Sequence, residues 1–159
     1  FMDMLKSGEA IQMDPQPEYM SLYFPRLYTD INGAIDWSTD SESIAAFIDS
    51  FDAPYPGAFS FICNAKVRLF GCTITQDGPF HPFQAGLVYR KESGAVFVAT
   101  RTSGLRIELV EFDTPNQRKT VRLGDRMVTA ELTLDQARIF RPIFGAHGIT
   151  NLPSEQQDH

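Results

Sequence analysis

Residues 34–59 form an amphipathic stretch with its own start and stop signals, and they constrain the fold of this chain more than any other feature. Thr39 and Glu42 fit a capping box, in which both side chains accept hydrogen bonds from free amides of a first helical turn. The apolar residues that follow recur at intervals of three and four, so they share one helix face: Ile44, Phe47, Ile48 and Phe51. Burying four such side chains contributes about 6–12 kcal/mol gross, so this helix must dock.

The chain then turns sharply from the helix into a strand. Pro54 and Pro56 cannot continue a helix because each lacks the amide hydrogen that the next turn needs. Gly57 gives a tight exit, and residues 58–62 are apolar and rich in aromatic side chains. The stretch is therefore a helix that leads directly into a strand.

Two short motifs flank the predicted helix. They are Ile35-Asp36-Trp37 before it and Pro54-Tyr55-Pro56-Gly57-Ala58-Phe59 after it. In this order they resemble the C-terminal domain of the 10-formyltetrahydrofolate-dependent formyltransferases, whose usual form is I-D-W, a helix, and P-W-P-G-A-F. Tyr55 stands where that pattern has tryptophan and keeps an aromatic plug there. The resemblance extends back to residues 19–25 and forward to about residue 113, although the residues alone also fit a helix-to-strand corner in any small α+β domain.

The resemblance implies that the chemistry lies elsewhere. The family includes methionyl-tRNA formyltransferase and the sugar-nucleotide amine formyltransferases, which carry catalysis on an N-terminal Rossmann-type domain with an H-x-S-L-L-P motif. This sequence has no such motif, since His81 is followed by Pro82 and Phe83. The resemblance thus implies a non-catalytic domain without catalytic or folate-binding residues. Its partner is then the Rossmann-type domain, and 10-formyltetrahydrofolate is the co-substrate of the parent enzyme.

Short apolar segments separated by turn residues follow the helix. The predicted strands are residues 58–62, 65–75, 85–90, 95–100 and 105–112, with a short sixth at 118–123. The apolar parity reverses at Phe70 and Gly71, and again after Leu109, which predicts bends of the kind that let a small sheet close. We therefore expect a mainly β fold with flanking helices, an OB-like barrel of five to six strands, as the resemblance also implies.

Composition shifts divide the chain into four parts. Residues 1–10 are expected to be the end of a helix from a preceding catalytic domain that is absent here, and 11–33 an extended, proline-rich linker. The barrel domain is expected at 34–145, including a last helix that Thr133 caps. Residues 146–159 are polar and are predicted to form a flexible tail.

The net charge of −6 lies outside the predicted barrel, because the segment 38–145 sums to zero. Within that segment one basic cluster has only Asp125 opposing it: Arg118, Lys119, Arg122 and Arg126. The cluster is either a substrate or phosphate-binding edge or a solvated strand edge whose charges prevent edge pairing. Phosphate contacts dominate affinity for nucleic acid, so tRNA is less expected as a substrate than a sugar nucleotide or another small amine.

Two other functions are compatible with the sequence. A stand-alone OB-type module for single-stranded nucleic acid or oligosaccharide predicts exposed aromatic side chains beside a basic groove. A homodimerisation unit is the other. The absence of a run of about 20 apolar residues predicts no membrane partner, and a cytoplasmic location is expected.

Cysteine and histidine chemistry is not expected to support the fold. Cys63 and Cys72 flank a predicted turn at Asn64-Ala65 and diverge from it, so we expect reduced, mostly buried thiols. The three histidines are scattered without metal-ligand spacing, which predicts no metal site, and His81 is expected at the surface. Trp37 is expected to pack in the core rather than to stack a base.

Overall fold

The computed structural model describes residues 24–113 and 120–153. Their helices and strands, in chain order, are α1 (Thr29–Asn32), α2 (Ser41–Ser50), β1 (Ala58–Ile62), β2 (Ala65–Ile74), β3 (Val88–Glu92), β4 (Ala95–Ala99), β5 (Gly104–Phe112), β6 (Met127–Val128), α3 (Glu131–Ile139), β7 (Phe144–Gly145) and β8 (Gly148–Ile149). A 3₁₀ turn at Pro82–Gln84 precedes β3. The predicted helix end at 1–10 and the linker up to residue 23 lie outside the described residues.

Helix α2 forms as predicted but begins one residue later. Its N-cap is Asp40, whose side chain accepts a hydrogen bond of 2.7 Å from the amide of Ser43. The capping box is wrong, because the Thr39 hydroxyl donates to a carbonyl three residues back and Glu42 accepts from the Ser41 hydroxyl. An aspartate cap also places negative charge at the positive end of the helix dipole, which favours Asp40 over its neighbour.

The apolar face of α2 packs against the sheet. Ile44, Ile48 and Phe51 are buried in the core, and Phe47 is half-buried beside them. The helix contacts β2 and β5, so it covers the middle strands of the sheet. The predicted docking of this face is confirmed.

Six antiparallel strands form one curled sheet in the order β3-β4-β5-β2-β1-β6. The two ends of the sheet approach each other, since the Met127 amide donates to the Gly86 carbonyl at 2.8 Å and the Val88 amide donates to the Asp125 carbonyl at 2.8 Å. The sheet is therefore a half-barrel whose end strands are bridged by backbone hydrogen bonds. The predicted mainly β fold with few helices is confirmed.

The changes of apolar parity that predicted bends in β2 and β5 lie opposite each other. Pairing is in one register from Val67 to Ile74, with no residue inserted, although Gly71 has a φ of 61°. Leu69 and Cys72 both face the core, so the parity inverts between them without a bulge. On β5 the inversion comes earlier than predicted, because Leu109 is 48% exposed. The two changes of parity thus lie at the same level of the sheet.

Three predicted boundaries need correction. The first hairpin turns at Cys63-Asn64, whose φ angles are both positive, so Ile62 pairs with Ala65 and the Cys63 side chain is exposed, not buried. Cys72 is half-buried, and the two cysteines are not bridged.

The third strand begins at Val88, not 85. Of the predicted strand 118–123 only 120–123 are described, and the last strand of the sheet is Met127–Val128 instead.

The flanking segments also differ from expectation. Residues 29–32 form a helical turn within the predicted extended linker. Helix α3 begins at Glu131, before Thr133, and buries Leu134, while Ile139 is 75% exposed. A flexible tail is predicted from residue 146, but β7 and β8 form a small hairpin there. No helix among the described residues is long and apolar enough to cross a membrane.

Candidate functional site

The Asp36-Trp37 pair joins the segment before α2 to two other parts of the domain. Trp37 is 6% exposed and donates from Nε1 to the Ser60 hydroxyl on β1 at 2.9 Å. Asp36 accepts from the Ser38 amide and hydroxyl at 2.9 and 2.6 Å, and from Nη2 of Arg138 on α3 at 3.0 Å. The predicted core position of Trp37 is confirmed.

The Asp36 carboxylate is held ionised. Burial alone raises its pKa, but the hydrogen bonds from Ser38 and the charge and hydrogen bond of Arg138 outweigh burial and leave the pKa below its usual range. A carboxylate with that environment is a poor proton acceptor near neutral pH. Asp36 is therefore suited to position α3 rather than to transfer protons.

The residues of the P-Y-P-G-A-F motif divide between surface and core. Pro54 and Pro56 are exposed, and Tyr55 is 58% exposed, so the predicted aromatic plug at Tyr55 is wrong. A tight turn, closed by the Tyr55 amide on the Asp52 carbonyl at 3.0 Å, turns the tyrosine ring outward. Phe51, in the last turn of the helical segment, is 5% exposed and packs in the core.

The second half of the motif is structural. Gly57 has a φ of 93° and is covered by the ring of Phe70. Phe59 is 3% exposed, and its backbone pairs with the segment before α2, accepting from the Ile35 amide at 2.9 Å. Its ring packs with Ala34 and Leu134 in a second, smaller core. This motif therefore couples α3, β1 and the segment that leads into α2.

A cleft of about 390 Å³ opens between α2, α3 and the segment that precedes them. Its floor is apolar and includes Ile35, Ile44 and Leu134, all of them buried. Polar side chains stand around it: Asp36, Thr39, Ser43, Arg138 and Arg141. A mostly apolar cleft with a few polar groups can bind a small ligand or a peptide. Asp36 and Arg138 at its edge pair with each other, so neither is free to act as an acid or a base.

The segment before α2 is fixed to the sheet by a cluster of charges. Nη2 of Arg68 on β2 donates to Asp30 on α1 at 2.6 Å, and its Nε donates to Asp113 at 2.5 Å. The Nζ atom of Lys66 lies 3.7 Å from the Asp113 carboxylate. Burial raises the pKa of Asp30, but hydrogen bonds from Arg68 and Tyr28 and the two positive charges lower it more, so its net shift is downward.

Asn32 fixes the same segment to the end of α3. Its side chain is almost fully buried, accepts from the Tyr28 amide at 2.7 Å, and donates to the carbonyls of Ala137 and Phe140 at 2.7 and 3.1 Å. The last carbonyls of a helix have no partner within the helix. Asn32 therefore supplies the C-terminal cap of α3.

The predicted basic edge is only partly visible. Arg118 and Lys119 lie outside the described residues. Arg122 is exposed, and its amide donates to Asp125 at 2.6 Å. Arg126 donates from Nη1 to the Phe83 carbonyl and, at 3.2 Å, to the Ala85 carbonyl, so it anchors the loop before β3. Of the predicted edge, the structure thus shows a structural role for the Arg126 side chain, and the substrate-binding role of the edge stays a prediction.

The remaining candidates for chemistry are His81 and any cluster of metal-ligating side chains. No group of three or more histidine, cysteine, aspartate or glutamate side chains within residues 24–113 and 120–153 could hold a metal ion. His81 is exposed, as predicted, and its Nδ1 accepts from the Phe83 amide. Arg68 and Arg138 meet carboxylates in ion pairs, and Arg126 bonds to backbone carbonyls.

A family model described as the formyl transferase C-terminal domain matches residues 28–122. The chain belongs to this family. The match covers more than half of the chain, and it includes both motifs and the first five of the six strands of the half-barrel, β1 to β5. The resemblance expected from Ile35-Asp36-Trp37 and from residues 54–59 is therefore confirmed.

Sequence relatives agree with this assignment. The methionyl-tRNA formyltransferase of Thermotoga maritima is 27% identical over 119 residues, which cover 75% of this chain and 36% of that protein. The methionyl-tRNA formyltransferase of Ruminiclostridium cellulolyticum is 25% identical over 115 residues, 72% of this chain and 36% of that protein. This formyl transferase domain thus spans about a third of the length of these curated relatives.

Solved structures share the fold. The crystal structure of HypX from Aquifex aeolicus in complex with tetrahydrofolic acid has a TM-score of 0.53 and 16% identity, with 95% of this chain and 25% of that chain covered. A crystal structure of a HypX variant has a TM-score of 0.54 and 18% identity, with 71% of this chain and 19% of that chain covered. At these identities the likeness shows the fold alone.

The residues that sequence reasoning missed are long-range polar anchors. Arg68 lies on an alternating strand and has the pattern of an ordinary exposed charge. The sequence pattern around Asn32 is typical of a turn, but its side chain donates hydrogen bonds to carbonyls more than 100 positions away. Neither contact has a local signal. The alternation of β2 could only have placed Arg68 on the face opposite Val67 and Leu69.

Proposed function

We propose that this chain is the non-catalytic C-terminal domain of a formyltransferase that transfers a formyl group from 10-formyltetrahydrofolate to a substrate amine. Its role is to help bind the acceptor or to support assembly of the enzyme. Its partner is a Rossmann-type catalytic domain, and its location is the cytoplasm. The observation that carries the proposal is the family match over residues 28–122, in a chain without the H-x-S-L-L-P motif.

The charge distribution supports a small amine as the acceptor, such as the amine of a sugar nucleotide. Binding tRNA through its phosphates needs cations that are free to meet them. Here Arg68 and Arg138 meet carboxylates, and Lys91 donates to a backbone carbonyl. These cations already have partners, which disfavours an extended phosphate-binding face on the described part of the domain.

The parent gene provides the first test. The open reading frame upstream of the Phe1 codon is expected to encode a Rossmann-type domain with H-x-S-L-L-P. The enzyme so encoded is expected to formylate a sugar-nucleotide amine with 10-formyltetrahydrofolate, whereas the present chain alone transfers no formyl group. A frame without such a domain, or transfer by the isolated chain, would overturn the proposal.

A binding measurement tests the acceptor class separately. Fluorescence anisotropy with labelled initiator tRNA at low and moderate salt is expected to show no saturable submicromolar binding to this chain. Tight binding that weakens steeply with salt would replace the small amine by tRNA as the acceptor. It would leave the assignment to a formyltransferase unchanged.

A further inference from the structure

The loop before β3 holds one aromatic ring in solvent. Phe83 lies in the 3₁₀ turn Pro82–Gln84 and is 77% exposed. An exposed phenylalanine side chain is unfavourable in water, since leaving it exposed forgoes about 1.5–3 kcal/mol of burial. Phe80, only three residues earlier, packs on Tyr89 with ring centroids 4.8 Å apart. The same loop thus packs one half-buried ring on the sheet and exposes the other.

The turn that carries Phe83 is rigidly built. The Phe83 amide donates to Nδ1 of His81 at 3.2 Å, and the His81 amide donates to Oε1 of Gln84 at 3.0 Å, which forms a capping box. The Gln84 amide also donates to the His81 carbonyl at 2.7 Å. These bonds fix the backbone on both sides of the exposed ring.

Arg126 completes the support from the neighbouring segment. Its Nη1 donates to the carbonyls of Phe83 and Ala85, and its guanidinium carbon lies 5.0 Å from the centroid of the Phe83 ring. Within the part of the chain that the structure describes, these bonds use Nη1 alone, so Nη2 and Nε can meet an acceptor from outside.

We infer that Phe83 and Arg126 form a stacking site for a nucleobase. An exposed ring on an ordered turn offers a flat face to another planar ring, and base stacking on an aromatic side chain needs no particular base. The adjacent guanidinium suits the phosphate that accompanies the base. The hydrogen bonds of the turn matter here because a backbone that is already ordered loses less entropy on binding.

The base can belong to a free nucleotide or to a single strand of nucleic acid. The stacking chemistry is the same for both, and the inference goes beyond the proposed function because it uses only the loop and Arg126. It would hold even if the parent enzyme carried out no formyl transfer.

The test is an NMR titration of the ¹⁵N-labelled chain with uridine monophosphate and with oligouridylate, and with ribose 5-phosphate as the ligand that lacks a base. Both base-containing ligands are expected to shift the amides of residues 81–86 and 126, and ribose 5-phosphate is not. A lower dissociation constant for the oligonucleotide identifies single-stranded nucleic acid as the source, and equal constants identify the nucleotide.

Variants separate stacking from general attraction. Phe83→Ala is expected to weaken binding about 5- to 100-fold, whereas Phe83→Trp keeps it. Ile139→Ala is the matched control, since Ile139 is an exposed apolar residue on α3, and it leaves binding unchanged. Equal binding by Phe83→Ala, equal shifts with ribose 5-phosphate, or no shifts with any ligand at millimolar concentration would overturn the inference.

Discussion

The ring of Phe70 lies so close to Gly57 that a Cβ built on the glycine would come within 2.5 Å of it. Gly57 also has a φ of 93°, a region that residues with a side chain rarely adopt. The glycine of the P-Y-P-G-A-F motif is therefore required twice, once by the turn into β1 and once by the ring that covers it. No aromatic contact of Tyr55 enters into this requirement.

Gly57→Ala is expected to destabilise the domain more than Gly94→Ala does. Gly94 has a φ of 89°, close to that of Gly57, but a Cβ there would meet no atom within 4 Å. Both variants carry the backbone cost, and only Gly57→Ala adds overlap with a ring, so the difference in unfolding free energy is about 1–3 kcal/mol. Urea denaturation of the two variants measures this difference.

A double-mutant cycle identifies the cause. Phe70→Leu removes the ring, so the cost of Gly57→Ala is expected to shrink in that background. An unchanged cost would show that the ring does not account for the difference and that the backbone alone does.

Local patterns predicted the parts of the fold that rest on period and burial. The spacing of Ile44, Ile48 and Phe51 placed the buried face of α2 correctly, and the predicted changes of apolar parity near Gly71 and Leu109 are present in the burial pattern of β2 and β5. These features follow from the alternation of apolar residues, which the sequence states directly. The family motifs were readable for the same reason, because they are contiguous.

The remaining features depend on partners that are distant in sequence. Arg126 has the appearance of a surface charge until the loop of Phe83 is folded against it, and Asn32 caps a helix that begins almost 100 residues later. Tyr55 was misplaced because an aromatic residue between two prolines can face either way, and the direction depends on a single turn. The candidate stacking site could not be predicted, since exposure of Phe83 is a property of the assembled loop.

Asn32→Ala is expected to loosen α3. The variant leaves the Ala137 and Phe140 carbonyls without their donor in a partly buried place, which costs about 1–3 kcal/mol. Amide hydrogen exchange is expected to speed up in residues 131–140 and to stay unchanged in α2. Ser50→Ala, which removes an exposed hydroxyl bond on α2, serves as the control with an effect within about 0.5 kcal/mol. Uniform acceleration across the domain would contradict a local capping role.

The Asp30–Arg68 contact predicts a stability difference that depends on pH. The pKa of Asp30 in the folded state lies below its usual value, so the contact contributes stability fully above the unfolded pKa, near 3.9, and loses it as the pH falls through the folded pKa. Asp30→Asn is expected to be about 1–2 kcal/mol less stable than the parent chain at pH 7. The difference shrinks below about pH 4.

Urea denaturation at a series of pH values between neutrality and pH 3 measures this. Glu92→Gln, which removes an exposed carboxylate at the end of β3, is the control for the loss of a charge at the surface. A constant difference for Asp30→Asn across the series would mean that the carboxylate is not ionised selectively in the folded state.

The two thiols are expected to differ sharply in reactivity. Burial, with the nearby charge of Asp49, raises the pKa of Cys72 to about 12, whereas Cys63 lies exposed in the turn of the first hairpin. Only the thiolate reacts with iodoacetamide, so at pH 8 about one Cys72 in ten thousand is reactive at any moment.

Trypsin cleaves at Lys66 and Arg68, which puts the two cysteines on separate peptides for mass spectrometry. Cys63 is expected to be modified in the folded chain, and Cys72 only after unfolding in urea. In Cys63→Ser the remaining thiol stays protected; labelling of folded Cys63→Ser at the rate of the unfolded chain would show that β2 does not shield Cys72 as the structure indicates.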